Sequence, residues 1–407
     1  MIKKLLPSVG EYKKYTILTP IMVIFEVVLE IFIPLLMSKI IDIGVKNGDV
    51  NYIIKIGALM IVMALFSLLF GALSGRFGSI ASVGFSKNLR RNLFEKIQHF
   101  SFSNIDKFST ASLVTRLTTD INFAQMALQM LIRMLVRSPI MLISATFMAY
   151  TINPRLCIIF LIAIPVLALG LYLIASKAFP LFKKMLKKVD GLNASIQENL
   201  IGIRVVKAFV REDHENEKFR KTAKDLCDAS IKAENLLVFN MPLMQFVMYA
   251  CMVAISWFGG NMIIKGTMET GQLMSFITYM SQILISLMMI SMAFVMLVIS
   301  RASLVRIVEI LDEDIDVNDD VGDPDLTVED GSIVFNNVGF SYSKDKNLLN
   351  LCDINFEIKS GETIGIIGGT GSAKTTLVQL IPRLYDLTSG KILVGGHDVK
   401  DYTFKNL

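Results

Sequence analysis

Cysteine, histidine and tryptophan are scarce, with four, three and one among 407 residues. Cys157, Cys227, Cys251 and Cys352 lie far apart and form no CxxC or Cys/His ligand pattern. That spacing argues against a disulfide framework or a zinc cluster and favours reduced, packed thiols. His99, His214 and His397 are isolated, so each reads as a solvated or locally satisfied imidazole. Charged residues make up only 19%. The net charge of +5 comes from Lys and Arg flanking apolar segments, with no basic patch interleaved with aromatics, so no nucleic-acid partner is expected. A secretion signal is missing too. The opening Met1-Ile2-Lys3-Lys4-Leu5-Leu6 is basic, but Glu11, Lys13 and Lys14 break its apolar run and no small-residue cleavage site follows, so it reads as a cytoplasmic tail.

Apolar surface is abundant. Hydrophobic residues reach 53%, and the mean hydropathy of +0.55 exceeds what a soluble chain of this size carries. A bilayer crossing takes about 20 apolar residues. Five stretches meet this: Ile56 to Gly75, Ser138 to Pro154, Leu156 to Ser176, Asn235 to Ile264 and Thr270 to Ser300. A sixth, Tyr15 to Ser38, is apolar apart from Glu26 and Glu30. Lys and Arg concentrate before the first span (Lys3, Lys4, Lys13, Lys14), between the second and third (from Lys87 to Arg137) and between the fourth and fifth (from Lys183 to Arg211). Since basic loops stay inside, both termini are expected in the cytoplasm. The inner connections, from about Arg76 to Arg137 and from Lys177 to Glu234, keep helical spacing, as at Leu89, Leu93, Phe94 and Ile97. They are expected to be helices that run past the membrane and return.

Glu26 and Glu30 lie one turn apart on one helix face, where an acid at mid-bilayer costs roughly 2.5 to 3.5 kcal/mol. Two readings stand: attraction of cationic substrates or a partner, or a polar face that is wetted or protonated. Methionine is plentiful at 23, with Met274, Met280, Met288, Met289, Met292 and Met296 in the last span. Their flexible thioethers suit either packing and lipid contact or a promiscuous cavity.

The character changes after Ile310-Leu311. An acidic stretch with Pro and Gly reads as a linker, followed by strand-like runs at Ser332 to Val338, Leu351 to Ile358, Glu362 to Ile367 and Gly390 to Val394, with a helix from Lys374 to Tyr385. The expected domains are 1–311 in the membrane, 312–331 as linker and 332–407 as an α/β piece. Between the third strand and the helix lies Gly368-Gly369-Thr370-Gly371-Ser372-Ala373-Lys374-Thr375-Thr376. Backbone N–H groups of such a loop point at phosphate oxygens, the lysine reaches the β- and γ-phosphates, and the hydroxyl after it, Thr375, binds Mg²⁺. Ala373 departs from the pattern, which has glycine before the lysine. A negative φ there would accommodate the methyl; a positive φ would cost about 1 to 2 kcal/mol.

Val338-Gly339-Phe340-Ser341-Tyr342 places an aromatic about thirty residues before the lysine. With it, the whole chain resembles a half-transporter of the ATP-binding cassette (ABC) exporter family. The resemblance implies a six-helix α-helical membrane bundle followed by an incomplete α/β P-loop domain, and Tyr342 matches the family aromatic that stacks on adenine. The segments Asn104 to Asp120 and Glu198 to Glu212 resemble the two coupling helices that seat in the nucleotide-binding domain. ATP and Mg²⁺ are the implied cofactors. Implied partners are a second half-transporter, as homo- or heterodimer, the lipid bilayer, and a small-molecule or lipid substrate. The wording of the loops is nearest to halves of heterodimeric multidrug exporters, which implies efflux of amphipathic molecules or lipids across a bacterial cytoplasmic membrane.

The resemblance also implies pieces not found before Leu407: a glutamine loop, a signature sequence, a Walker B strand with its glutamate and a switch histidine. His397 falls too early for the last. No catalytic residue is therefore assigned, and the alternative expectation is an ATPase-inactive membrane subunit that only dimerises with an intact half.

Overall fold

The computed structural model describes residues 2–318, 322–345 and 347–407. Met1 of the basic opening and residues 319–321 of the acidic stretch lie outside them. Six helices among the described residues are long and apolar enough to cross a membrane. They are α1 (Leu6–Val45), α2 (Val50–Gln98), α4 (Thr110–Ile152), α5 (Pro154–Ile201), α7 (Glu212–Ile264) and α8 (Thr270–Asp312). Each holds one of the six expected apolar stretches. Two short helices, α3 (Phe102–Phe108) and α6 (Ile203–Ala208), fall between long ones, where the sequence places the coupling segments. At 49 residues, α2 is about 70 Å long, more than twice the roughly 30 Å of a hydrocarbon core.

Contacts divide the chain into two compact units, one of Lys14–Ala81 and Leu128–Leu297, the other of Met1–Lys13, Ser82–Ala127 and Val298–Leu407. The first unit holds the membrane core. Val23, Val27 and Ile31 pack with Phe160, Leu167, Ile255, Phe276, Tyr279 and Ile283, all buried, and the Phe160 and Phe276 rings stack at 5.1 Å. The outside of this unit is apolar as well, and none of the most apolar window of α2 is buried. Such an inversion suits lipid, where apolar exterior surface carries no penalty and the helical backbone satisfies its own hydrogen bonds.

Helices α1 and α8 are joined along one seam. Tyr279 donates its hydroxyl to the carbonyl of Ile31 at 2.7 Å, and Ser275 to that of Pro34 at 2.5 Å. A helical carbonyl has a second lone pair beyond the one its own ladder uses, so both acceptors can take an outside donor. At the end of α1, Asp42 accepts from the Gly271 N–H at 2.6 Å, and Lys46 pairs with Glu269 at 2.9 Å.

Deeper in the bundle, the guanidinium of Arg137 on α4 bridges both acids of α1, bonding Glu26 through Nη1 and Glu30 through Nη2, the latter at 2.7 Å. The structure shows neither of the two readings left open by sequence: both acids pair with an arginine of the same chain. A π-helical turn, Met130–Met134, precedes this arginine. One extra residue in a turn rotates all that follows by about 100°, which helps carry Arg137 to the α1 side.

The second unit contains a four-stranded antiparallel sheet of order β2-β1-β3-β4, with β1 Ile333–Phe340, β2 Leu351–Ile358, β3 Ser389–Val394 and β4 His397–Asp398. Ile333 pairs with Ile358 on one side and Val394 on the other, so β1 is central. The core beneath it comprises Phe335, Val338, Phe340, Leu380, Ile392 and Tyr402.

Two expectations are corrected here. Glu362 to Ile367 forms no strand, and Ile364, Ile366 and Ile367 are exposed. An apolar run of this kind becomes a strand only when neighbours supply its hydrogen bonds, and none among the described strands pairs with it. The helix after the loop, α9 (Lys374–Leu380), stops at Leu380 rather than Tyr385.

Candidate nucleotide site

Residues Gly368 to Ala373 form a compact loop that runs into the first turn of α9 at Lys374, Thr375 and Thr376. The Ser372 hydroxyl donates to the Gly369 carbonyl at 2.9 Å, drawing the loop into a ring. Lys374 folds over it, with Nζ 2.8 Å from the Gly368 carbonyl, 2.7 Å from that of Gly369 and 3.3 Å from Ser372 Oγ. A Cβ at Gly369 or Gly371 would meet nothing within 4 Å, whereas one at Gly368 would lie 2.7 Å from Ser372 Oγ. The loop is thus closed on the Gly368 side and open on the Gly369 and Gly371 side. An ammonium centred on exchangeable oxygens beside open backbone is a donor set that fits a polyphosphate. Thr370 and Thr375 are exposed, and Thr376 is buried.

Ala373 adopts φ 57 and ψ 25, the left-handed region. Of the two backbone geometries left open for this residue, the strained one is found. Its methyl also packs against the core under the sheet, which offsets part of the strain. Ala373→Gly is expected to raise stability by about 1 kcal/mol, read as a higher urea midpoint. A lower midpoint would mean that the methyl contact outweighs the backbone strain.

Tyr342 follows directly after Ser341 at the end of β1. Its hydroxyl lies 2.9 Å from Thr376 Oγ1, so the structure brings the aromatic and the glycine loop together across 34 residues of sequence. The ring meets Phe340 and Tyr385 nearly edge-on, at 4.8 and 5.2 Å, and remains 46% exposed. Exposed ring surface of that extent leaves room for a planar ligand.

The same unit joins this site to the helix α3. Tyr385 donates its hydroxyl to Asp106 at 2.8 Å, and its ring sits 6.0 Å from Phe102. Burial first, then the Asp106 carboxylate, hold the Tyr385 phenol above its ordinary range, so it remains a donor at any physiological pH.

Sequence reasoning missed what the acidic stretch does. Asp312 pairs with Lys4 at 2.6 Å, Glu313 with Lys107 at 2.6 Å, and the Asp314 carbonyl accepts from Asn104 at 3.0 Å. Asp316 accepts from the Ser101 hydroxyl, from Ser103 at 2.5 Å and from Lys344 at 2.7 Å. Burial on its own would raise the Asp316 carboxyl, but Lys344 and the two serines outweigh it and hold the group at about 2. A lowered value stabilises the fold above the ordinary 3.8, and that contribution is lost as pH falls through about 2. A run of acids without Lys or Arg reads as solvated in isolation; its basic and hydroxyl partners come from elsewhere in the chain.

Buried ion pairs on α4 were missed as well. Arg306 forks onto the fully buried Asp120, with Nε 2.7 Å from Oδ2, and Arg116, itself buried, holds Glu309 at 2.7 Å. The i, i+4 spacing of Arg116 and Asp120 and the i, i+3 spacing of Arg306 and Glu309 would suggest pairs within each helix, whereas the structure pairs them across helices.

Six apolar spans leading into a glycine-loop domain define a membrane transporter fused to an ATP-binding module. Residues 16–302 match the family described as ABC transporter transmembrane region, and residues 351–407 the family described as ABC transporter. The chain belongs to the ABC transporters, in the half-transporter arrangement of one membrane region and one ATP-binding domain. It is 34% identical over 402 residues to the uncharacterized ABC transporter ATP-binding protein YfiB of Bacillus subtilis, a match covering 97% of this chain and 69% of that protein. A Mycobacterium tuberculosis ABC transporter ATP-binding protein, Rv1273c, is 33% identical, with 97% and 68% covered. The ATP-dependent lipid A-core flippase of Syntrophus aciditrophicus is 30% identical over 324 residues, covering 79% of this chain and 53% of that protein. The six spans and this membership make it a multi-pass membrane protein, and the family implies use of ATP.

Proposed function

We propose that the chain is one half of a dimeric exporter that uses ATP to move lipids or small amphipathic molecules across the bacterial cytoplasmic membrane by alternating access. Both termini then face the cytoplasm, as the Lys and Arg distribution supports. The observation that carries the reading is the Tyr385–Asp106 hydrogen bond, which fastens the glycine-loop domain to a helix inserted between two spans. Likeness to lipid A-core flippases supports a lipid or amphipathic substrate.

In this reading the N–H groups of Gly368, Gly369, Thr370, Gly371, Ser372 and Ala373 cradle the phosphates, and Lys374 exchanges its loop carbonyls for phosphate oxygens. Thr375 takes Mg²⁺, which screens the phosphate charge when bound. Tyr342 receives the base, with Thr376 setting the ring through its hydroxyl. Domains then divide at 1–311, 312–331 and 332–407. A second half-transporter, the same or different, completes the transport unit.

The test is binding of a fluorescent ATP analogue to the chain in lipid nanodiscs, with competition by ATP and tripolyphosphate. Lys374→Ala is expected to weaken both competitors by at least about 10-fold, the scale of one charge-assisted contact. Unchanged affinity for both would overturn the reading.

A further inference from the structure

Lys344 sits just beyond the base-side aromatic in an unusual conformation. Its N–H bonds the Ser341 carbonyl at 3.1 Å, closing a turn with Tyr342 and Ser343 at the centre, and its φ is 59. A side chain in the left-handed region is strained and persists where surrounding contacts fix it. Two contacts come from the sheet domain: Tyr342 N–H bonds Asn350 at 3.3 Å, and Ser341 N–H bonds Thr388 at 3.0 Å. A third comes from outside it. Asp316, three-quarters buried, grips Lys344 with one carboxylate oxygen and Ser103 with the same oxygen, while the other takes Ser101.

Asp316 stands four residues past the end of α8, and the serines cap and begin α3. The turn that carries Tyr342 is therefore tied to a membrane-spanning helix and to the inserted cytoplasmic helix through one side chain. Beside the turn opens a cleft of about 280 Å³, lined by Ser103, Asp316, Tyr342, Lys344 and Tyr385 among others. The carboxylate thus forms part of the wall next to the ring.

We infer that Asp316 is a positioning residue for nucleotide binding: through Lys344 it sets the Tyr342 turn, so the end of α8 governs how well the base is held. The inference rests on the reading of Tyr342 as the base holder. It assigns Asp316 no contact with the phosphates, which belong to the glycine loop. The strap then selects for the base, and affinity for a ligand without one is independent of it.

The experiment compares ATP and inorganic tripolyphosphate as competitors of the fluorescent analogue, on the whole chain in nanodiscs. Asp316→Asn and Lys344→Met are each expected to weaken ATP by about 10-fold and leave tripolyphosphate within about twofold. Retained tripolyphosphate binding also certifies that the loop is folded. Asp316→Glu keeps the charge and is expected to recover most of the loss, and Tyr342→Ala combined with Asp316→Asn is expected to be no worse than Tyr342→Ala alone. Loss of ATP binding in Tyr342→Ala but not in Asp316→Asn overturns this inference and leaves the base-holder reading standing. Equal loss of ATP and tripolyphosphate in Asp316→Asn also overturns it, since it means general support. No selective ATP loss in Tyr342→Ala overturns the base-holder reading itself.

Discussion

Arg137→Ala is expected to cost about 3 to 5 kcal/mol of stability, because it strands two carboxylates inside a membrane bundle. The guanidinium is the bridge between Glu26 and Glu30, and Glu26 Oε2 is already buried without a hydrogen-bond partner. On the α2 side, a Cβ at Gly71 would lie 3.1 Å from Glu26 Oε1, so α2 faces this acid with bare backbone. The measurement is denaturant unfolding in mild detergent. Arg137→Ala combined with Glu26→Gln and Glu30→Gln is expected to regain most of the loss, since the penalty belongs to the orphaned charges and not to the missing side chain. A single substitution that unfolds like the parent would show that water reaches the acids freely.

Arg306→Ala is expected to be nearly as damaging, at about 3 kcal/mol or more, for the same reason in the other unit. Asp120 is fully buried and receives both prongs of the Arg306 fork, while the arginine remains partly exposed. The burden falls on the carboxylate. Asp120→Asn paired with Arg306→Ala is therefore expected to be milder than Arg306→Ala alone, and a double-mutant cycle by thermal unfolding reads the coupling. Additive losses would show the two groups to be independent. Arg306→Lys replaces a fork with a single ammonium and is expected to fall between.

How much of this was legible in the sequence follows from which forces are local. Apolar run length is a property of consecutive residues, so all six spans were found, and the helical extensions beyond them followed from unbroken 3.6-residue spacing at Leu89 and Leu93, both fully buried. Phe94, in the same pattern, is exposed, because an apolar spacing marks a face without telling what covers it. The glycine loop was legible because its residues are contiguous. The φ of Ala373 was not, since sequence posed the question and only the backbone answered it. Glu362 to Ile367 failed as a strand for a related reason: strands are stabilised by partners, and composition names no partner. The charge pairs lay furthest out of reach. Glu26 and Glu30 meet an arginine more than a hundred residues away, and Asp316 meets Ser101 and Ser103 across more than two hundred. Each half looks ordinary, and only folding makes the match.

The seam between α1 and α8 has a consequence for how the first helix can vary. Its two inner bonds end on the peptide oxygens of Ile31 and Pro34, which every amino acid supplies. Replacing the side chain of Ile31 leaves its acceptor in place, so the side-chain share of these two bonds belongs to Tyr279 and Ser275. At these two bonds the seam places its demand on the side chains of α8 and none on those of α1.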